Sequence, residues 1–388
     1  MSEKLIYLDN AATSHPKPEV VIRAMVAFMR DVGGNPGRSG HRLSIEAGRI
    51  VFAAREKIAA LFGINDSSRV IFGQNATEAI NQGLKGLLRR GDHVITSSME
   101  HNSVMRPLRA LEKEGIEIAV VPCSREGFLN PEDVRKAIRK NSRMVVLNHA
   151  SNVVGTLLPL KPVGEICRNH GILFLVDAAQ TAGVIPIDLE KEKIDLLAFT
   201  GHKALFGPQG TGGLVIGQRV DEKNIKPLKR GGTGSRSERE EQPDFLPDLC
   251  ESGTPNAVGL AGLRAGLEFV MEIGLEKIRI HERDLTQNFI KGLLAIPEAV
   301  VYGSGDAEKQ CATVSFNLKN WMPSDLSFRL DEEFGILTRV GLHCAPSAHK
   351  TIGTFPEGTV RVSLSYLNIE KEIEHTLQAI KTLARKGA

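Results

Sequence analysis

The chain has 388 residues, 41% hydrophobic and 24% charged, with 49 basic against 46 acidic side chains for a net charge of +3. That balance suits an ordinary globular protein with enough core for two or three domains, leaves no basic footprint for nucleic acid, and contains no apolar run long enough to span a membrane. Five scattered cysteines (Cys123, Cys167, Cys250, Cys311 and Cys344) include no Cys-x-x-Cys pair, which argues against a disulfide framework or a zinc site and suits a reducing cytoplasm.

The N-terminus, MSEKLIYLDNAAT, lacks the basic start, long apolar region and cleavage site of a signal peptide. A short apolar run at residues 5–8 closes on a polar turn. Pro16 and Pro18 then introduce a helix over residues 19–30. A Gly-rich loop at 33–40 leads to His41 and a helix over 43–62. From there apolar runs alternate with helical segments. The runs are 69–72, 93–96, 116–121, 144–147, 172–176, 196–199 and 214–216, the last expected to pair antiparallel or at an edge. This alternation predicts an α/β fold with a mostly parallel seven-stranded sheet, covered on both faces. Ligands of such sheets bind outside the carboxyl ends of the strands. Those ends carry Thr77, His101, Asn152, Asp177, Gln180, His202 and Lys203.

Residues 220–251 are charged and strand-poor. Ser252-Gly253-Thr254-Pro255-Asn256 then opens a long helix, and a smaller α+β region follows. The expected domains are an N-terminal arm, 1–30, packed with the small domain; a large domain, 31–260; and the small C-terminal domain, 261–388.

Lys203 ends the apolar run 196–199 within Thr200-Gly201-His202-Lys203. A lysine there must be paired, desolvated or reacting, and desolvated lysines form Schiff bases with aldehydes. It is a candidate anchor for pyridoxal 5'-phosphate (PLP). That cofactor also needs a helix N-terminus for its phosphate, which the Asn75-Ala76-Thr77 corner offers. A carboxylate beside its ring nitrogen keeps the ring protonated; Asp177 is placed for this, or equally to cap a helix. His101 and Gln180 are candidates for the ring face and the phenolic oxygen. The Gly-rich run GPQGTGG (207–213) lacks the Gly-x-Gly-x-x-Gly spacing of a dinucleotide site.

Eight ordered motifs carry a resemblance: YLDNAAT (7–13), NATEAIN (75–81), MEHNS (99–103), HASNVVGT (149–156), VDAAQTAG (176–183), FTGHKALFGPQGTG (199–212), ESGTPN (251–256) and RVGLHCAP (339–346). Together they resemble PLP-dependent cysteine desulfurases of the class V aminotransferase fold, a PLP-transferase fold of type I. The resemblance runs from residue 5 past residue 365. It implies that Lys203 bonds the cofactor aldehyde and that Thr200, His202, Thr77 and the Ala76 amide hold the phosphate. It further implies that His101 stacks on the ring and takes part in catalysis, that Asp177 pairs with the ring nitrogen, and that Gln180 bonds the phenolic oxygen. Thr254 is implied to reach the phosphate of a second subunit in a homodimer. Asn152 and Arg361 are implied to bind the substrate carboxylate, with Arg339 beside them, and Asn152 is implied to contact the cofactor as well.

Cys344 bears on the reaction. It follows Gly341-Leu342-His343 near Arg339 and His349, and it matches the family's sulfur-accepting cysteine, while the other four cysteines read as buried hydrophobes. The short connection around it resembles the short-loop subgroup, which also acts on selenocysteine and tends to need a sulfur-acceptor protein. The implied reaction converts L-cysteine to L-alanine with a persulfide on Cys344, a step that feeds iron–sulfur cluster assembly; the alternatives are selenocysteine lyase or another PLP lyase or aminotransferase. Two departures surround the substrate mouth. Leu342 stands where the subgroup usually has a first histidine, and SAHKTIGTFPEGTVR (347–361) is longer than the pattern.

Overall fold

The computed structural model describes residues 5–37 and 40–386. Its N-terminal strand β1 (Ile6–Tyr7) precedes a large sheet of seven strands. These are β2 (Val70–Gly73), β3 (His93–Ser97), β4 (Glu117–Val121), β5 (Ser142–Asn148), β6 (Leu173–Asp177), β7 (Leu196–Thr200) and β8 (Gly212–Ile216). Their spatial order is β2-β8-β7-β6-β5-β3-β4. Strands β3 to β7 and β4 run parallel, and β8 lies antiparallel to both β7 and β2.

The mostly parallel seven-stranded sheet is as the alternating runs predict. The antiparallel direction of β8 is also as expected, but β8 is not an edge strand: β2 closes that side. Two glycines let its neighbours approach closely. A Cβ on Gly213 would come within 2.2 Å of the Ile71 carbonyl oxygen, and one on Gly212 within 2.7 Å of that of Phe199.

Both faces of the sheet are buried because side chains alternate along each strand. Val145, Leu147, Phe174, Val176, Leu197 and Phe199 point into one core, shared with the helices Arg42–Leu61 and Ala257–Ile273. Met144, Val146, Leu173, Leu175, Leu196 and Ala198 point into the other, under the helices Ala76–Leu87 and Asn102–Lys113. The helix Ala257–Ile273 runs through residue 260, and its Leu263 and Leu267 belong to the first of these cores.

A second sheet is antiparallel, in the order β12-β13-β10-β9, from β9 (Ala299–Tyr302), β10 (Thr313–Leu318), β12 (Arg339–Gly341) and β13 (Thr359–Ser363). The helices Leu275–Leu294, Pro323–Phe334 and Glu370–Lys386 supply Phe289, Leu330 and Ile380 to its core. Strand β1 pairs in parallel with β11 (Ile336–Leu337), so the N-terminal residues are tied to this smaller region. The helix Glu19–Ala27 instead packs beside Ala257–Ile273.

One buried ion pair fastens the ESGTPN loop to the sheet. Arg55 meets Glu251 in bidentate fashion at 2.7 and 2.9 Å, and it also donates to the Val70 carbonyl. Glu251 in turn accepts the Phe72 N–H at 2.6 Å. Removing one partner of such a pair strands the other charge. Arg55→Ala is therefore expected to destabilise the fold by about 3 kcal/mol, read as a lower urea midpoint; an unchanged midpoint would show that the pair carries no stability.

Candidate active site

The carboxyl ends of the parallel strands meet the small sheet and the N-terminal residues around a cavity of about 280 Å³. Lys203 lies on its wall just beyond β7, its amine without a hydrogen-bond partner among the described residues. Burial pushes that amine down to about 8; the Arg361 and Arg339 charges act the same way, against Asp177 and Asp9. At neutral pH such an amine has an appreciable reactive, unprotonated fraction.

Asp177 ends β6, buried, with one carboxylate oxygen accepting the Ala179 N–H at 2.9 Å. Burial raises its pKa, opposed by that N–H and by Lys203. A cationic N–H placed against it would hold it ionised. Gln180 donates to the Ala11 carbonyl at 3.1 Å, which leaves its second N–H for the cavity.

His101 caps the helix Asn102–Lys113: its Nδ1 accepts the Ser103 N–H at 3.0 Å. The proton of the neutral ring is thereby assigned to Nε2, a donor. Burial, together with Lys203, Arg339, Arg361 and Arg106, lowers its pKa to about 4. Ser103 also bonds Thr77 Oγ1 at 2.7 Å, joining the His101 corner to the first turn of the helix Ala76–Leu87. At that helix start Asn75 accepts the Glu78 N–H at 3.0 Å. The Ala76 and Thr77 N–H groups remain for an anion, aided by the helix dipole.

The small sheet contributes two arginines. Arg339 and Arg361 are paired residues on β12 and β13, and both line the cavity. Like charges side by side repel, so an anion between them is favoured. Arg361 is already engaged: it donates to Asp9 at 2.6 Å and to the Asn152 carbonyl at 3.0 Å. Asn152 donates to the His343 carbonyl at 2.7 Å. Cys344 stands at the cavity, exposed, while Cys167, Cys250 and Cys311 are buried and Cys123 is half-buried. Burial raises those four thiols, to about 11 for Cys123 and about 12 for Cys167 and Cys250.

Five buried polar atoms of residues lining this cavity lack partners among the described residues: Asn148 Oδ1, Asn152 Oδ1, Thr200 Oγ1, His202 Nδ1 and Arg361 Nε. Buried polar atoms are ordinarily paired, so this cluster fits a polar ligand. An amine for an aldehyde, a carboxylate for a ring cation and a helix N-terminus with hydroxyls for a phosphate are the groups that PLP requires.

The expected residues Ala76, Thr77, His101, Asn152, Asp177, Gln180, Thr200, His202, Lys203, Arg339, Cys344 and Arg361 all meet at this one cavity. Thr254 does not. It is exposed and lines a separate cavity of about 400 Å³ beside Arg55 and Phe52. Residues not singled out from the sequence also build the site. Asp9 holds Arg361; Thr13, Ser14 and Lys17 all donate to the His202 carbonyl. Glu100 ties the ends of β3 and β5 together through Ser97 Oγ at 2.6 Å and the Asn148 N–H at 3.0 Å, its carboxyl pushed up to about 8 by burial. Asp9, Thr13 and Glu100 fall inside motifs already noted, which is where a signal for them lay.

The model of the family described as aminotransferase class-V matches residues 6–376. A probable cysteine desulfurase of Methanothermobacter thermautotrophicus is 34% identical, over 98% of this chain and 95% of its own. A protein of Dictyoglomus turgidum named cysteine desulfurase IscS is 30% identical, over 98% and 95%. The apo structure of cysteine desulfurase from Thermococcus onnurineus NA1 superposes with a TM-score of 0.92 at 32% identity, covering 98% of this chain and 95% of that one.

Proposed function

The chain belongs to the aminotransferase class-V family, and from that premise we propose that it is a PLP-dependent cysteine desulfurase, converting L-cysteine to L-alanine and a persulfide on Cys344. The observation that carries this reading is that Cys344, the exposed cysteine, lines the same cavity as Lys203, Asp177 and the Arg339–Arg361 pair. A transaminase has no use for a thiol at that place.

When bound, PLP supplies an aldehyde that exchanges amines and a cationic ring that takes up the electron pair left on the substrate Cα. Asp177 holds the ring-nitrogen proton. Ala76, Thr77, Thr200 and His202 take the phosphate, and Gln180 the phenolic oxygen. Arg361 and Arg339 bind the substrate carboxylate, which displaces Asp9 from Arg361 or shares it. Lys203 removes the Cα proton as general base. His101, its proton on Nε2, faces substrate as a donor. Cys344 attacks the substrate sulfur: the S–S bond forms, the C–S bond breaks, and its electron pair stays on carbon to be protonated. Alanine leaves. The persulfide on an exposed residue is open to an acceptor thiol, which supports a sulfur-acceptor protein as partner and a supply of sulfur for iron–sulfur clusters.

A homodimer belongs to the same proposal. Val20, Val26, Met29, Leu43, Ile45 and Phe52 are all more than 40% exposed on the helices Glu19–Ala27 and Arg42–Leu61 and the turn between them. An apolar patch of that kind marks an association surface. Thr254, away from this chain's own cavity, is then free to serve the second subunit's phosphate. Free thiols support a cytoplasmic location, and no helix among the described residues is long and apolar enough to cross a membrane.

The test is alanine release from PLP-loaded protein given L-cysteine and a reductant. Release sustains the reading; an intact cofactor spectrum without release removes it. A second check follows from the Lys203 amine at about 8. Only the neutral amine attacks an aldehyde, so the rate at which apoprotein turns yellow with PLP is expected to rise with pH and level off above about pH 8. A flat rate from about pH 6 to 9 would show that another step limits capture.

A further inference from the structure

The turn that presents Cys344 is in an unusual conformation. His343 and Cys344 have φ of 48° and 58°, two successive non-glycine residues in the left-handed region. Such strain persists only where the surroundings over-determine it. The backbone holds part of it: Asn152 donates to the His343 carbonyl at 2.7 Å, and the Asn102 N–H donates to the Cys344 carbonyl at 2.8 Å. The remainder is held by side chains. The His343 ring is 3.2 Å from the His349 ring, nitrogen to nitrogen, and His349 is 2.7 Å from Thr354 Oγ1. All three side chains are buried.

These contacts allow one arrangement of protons. His343 Nε2 faces the Arg339 carbonyl at 3.3 Å, which can only accept, so that nitrogen carries the hydrogen. His343 Nδ1 must then accept, and His349 Nε2–H donates to it. His349 Nδ1 is left to accept, and the Thr354 hydroxyl donates. The chain runs in one direction: Thr354 to His349 to His343 to the Arg339 carbonyl. It requires both rings neutral, and burial provides this, holding His343 down at about 2 and His349 at about 4.

We propose that His349 and Thr354 are positioning residues for the sulfur-accepting thiol, a directional hydrogen-bond chain that sets the His343 tautomer and locks the left-handed turn bearing Cys344 at the cavity. The proposal rests on the desulfurase reading for its consequence in turnover, but not for the chain itself. His349 sits on the short helix Pro346–Ile352, and Thr354 lies just beyond it. Thr354 thereby supplies a hydroxyl donor to the ring pair behind Cys344.

The test compares PLP-loaded wild type with Thr354→Val, which keeps the shape and removes the donor, and Thr354→Ser, which restores it. Nitrogen-15 spectra of the histidine rings are expected to show His343 and His349 both as neutral Nε2–H tautomers in wild type, across about pH 5 to 8. In Thr354→Val the His349 pattern should become mixed, and amide hydrogen exchange over residues 342–345 should quicken. Alanine release should lose about tenfold in kcat with KM and the cofactor absorbance unchanged, and Thr354→Ser should recover both kcat and the tautomer pattern. An Nδ1–H tautomer on either ring in wild type, or a Thr354→Val protein with wild-type exchange and kcat, overturns the proposal. Should wild type release no alanine at all, the desulfurase reading falls while the ring spectra and exchange still decide the positioning chain. Should Thr354→Val fail to fold, His349→Gln keeps one donor and one acceptor at that place. Slow exchange over 342–345 in that variant supports the chain, and fast exchange in a folded protein counts against it.

Discussion

Lys203→Ala is expected to fold, to stay colourless when mixed with PLP, and to release alanine from L-cysteine at least about 10³-fold more slowly than wild type. Two losses combine. The amine that captures the aldehyde is gone, and so is the base that removes the Cα proton; general-base catalysis alone contributes about 10²- to 10⁴-fold. The fold should not suffer, because the amine makes no hydrogen bond among the described residues and burial disfavours its charge. Absorbance of the Schiff base, alanine release and a melting curve measure the three effects separately. A variant that kept both colour and turnover would remove Lys203 from the site.

Cys344→Ala is expected to separate cofactor chemistry from sulfur transfer. Its Schiff-base absorbance should match wild type, since the exposed Cys344 thiol is not among the groups proposed to hold the cofactor. Alanine release from L-cysteine should fall by about 10²-fold or more, because the nucleophile that splits the C–S bond is absent. Stability should be almost unchanged, as expected for an exposed side chain. Mass spectrometry after one turnover should find an added sulfur on the Cys344 peptide of wild type and none in the variant. Undiminished turnover would mean that sulfur leaves without the thiol. If turnover of L-selenocysteine survives while that of L-cysteine is lost, the thiol is a sulfur-specific acceptor. Serine at 344 should behave as alanine does, because a hydroxyl is a poor nucleophile toward sulfur.

The site was legible from the chain where the signals were local. Asp177 and Thr200 close β6 and β7, and a polar residue that ends a buried apolar strand stands out without any structure. Cys344 stood out from four other cysteines by its turn-prone neighbours, and it is the exposed one. Asp9 did not stand out as the partner of Arg361, although it lies in a quoted motif. The two are 352 residues apart in sequence, and nothing near either one encodes their meeting.

By itself the sequence determined the α/β class, the seven strands and the edge on which the polar residues gather, because period-two burial and strand-ending polar clusters are properties of short segments. Only the tertiary structure decided that β8 lies inside the sheet, that Thr254 stands apart from this chain's own cavity, and that Thr354, His349 and His343 form one chain beneath Cys344. Each of these depends on which distant segments pack together and on how closely backbones approach. Hydrogen-bond direction depends in turn on which acceptor ends the chain, here the Arg339 carbonyl, and a carbonyl's position in space is not written in any residue's identity.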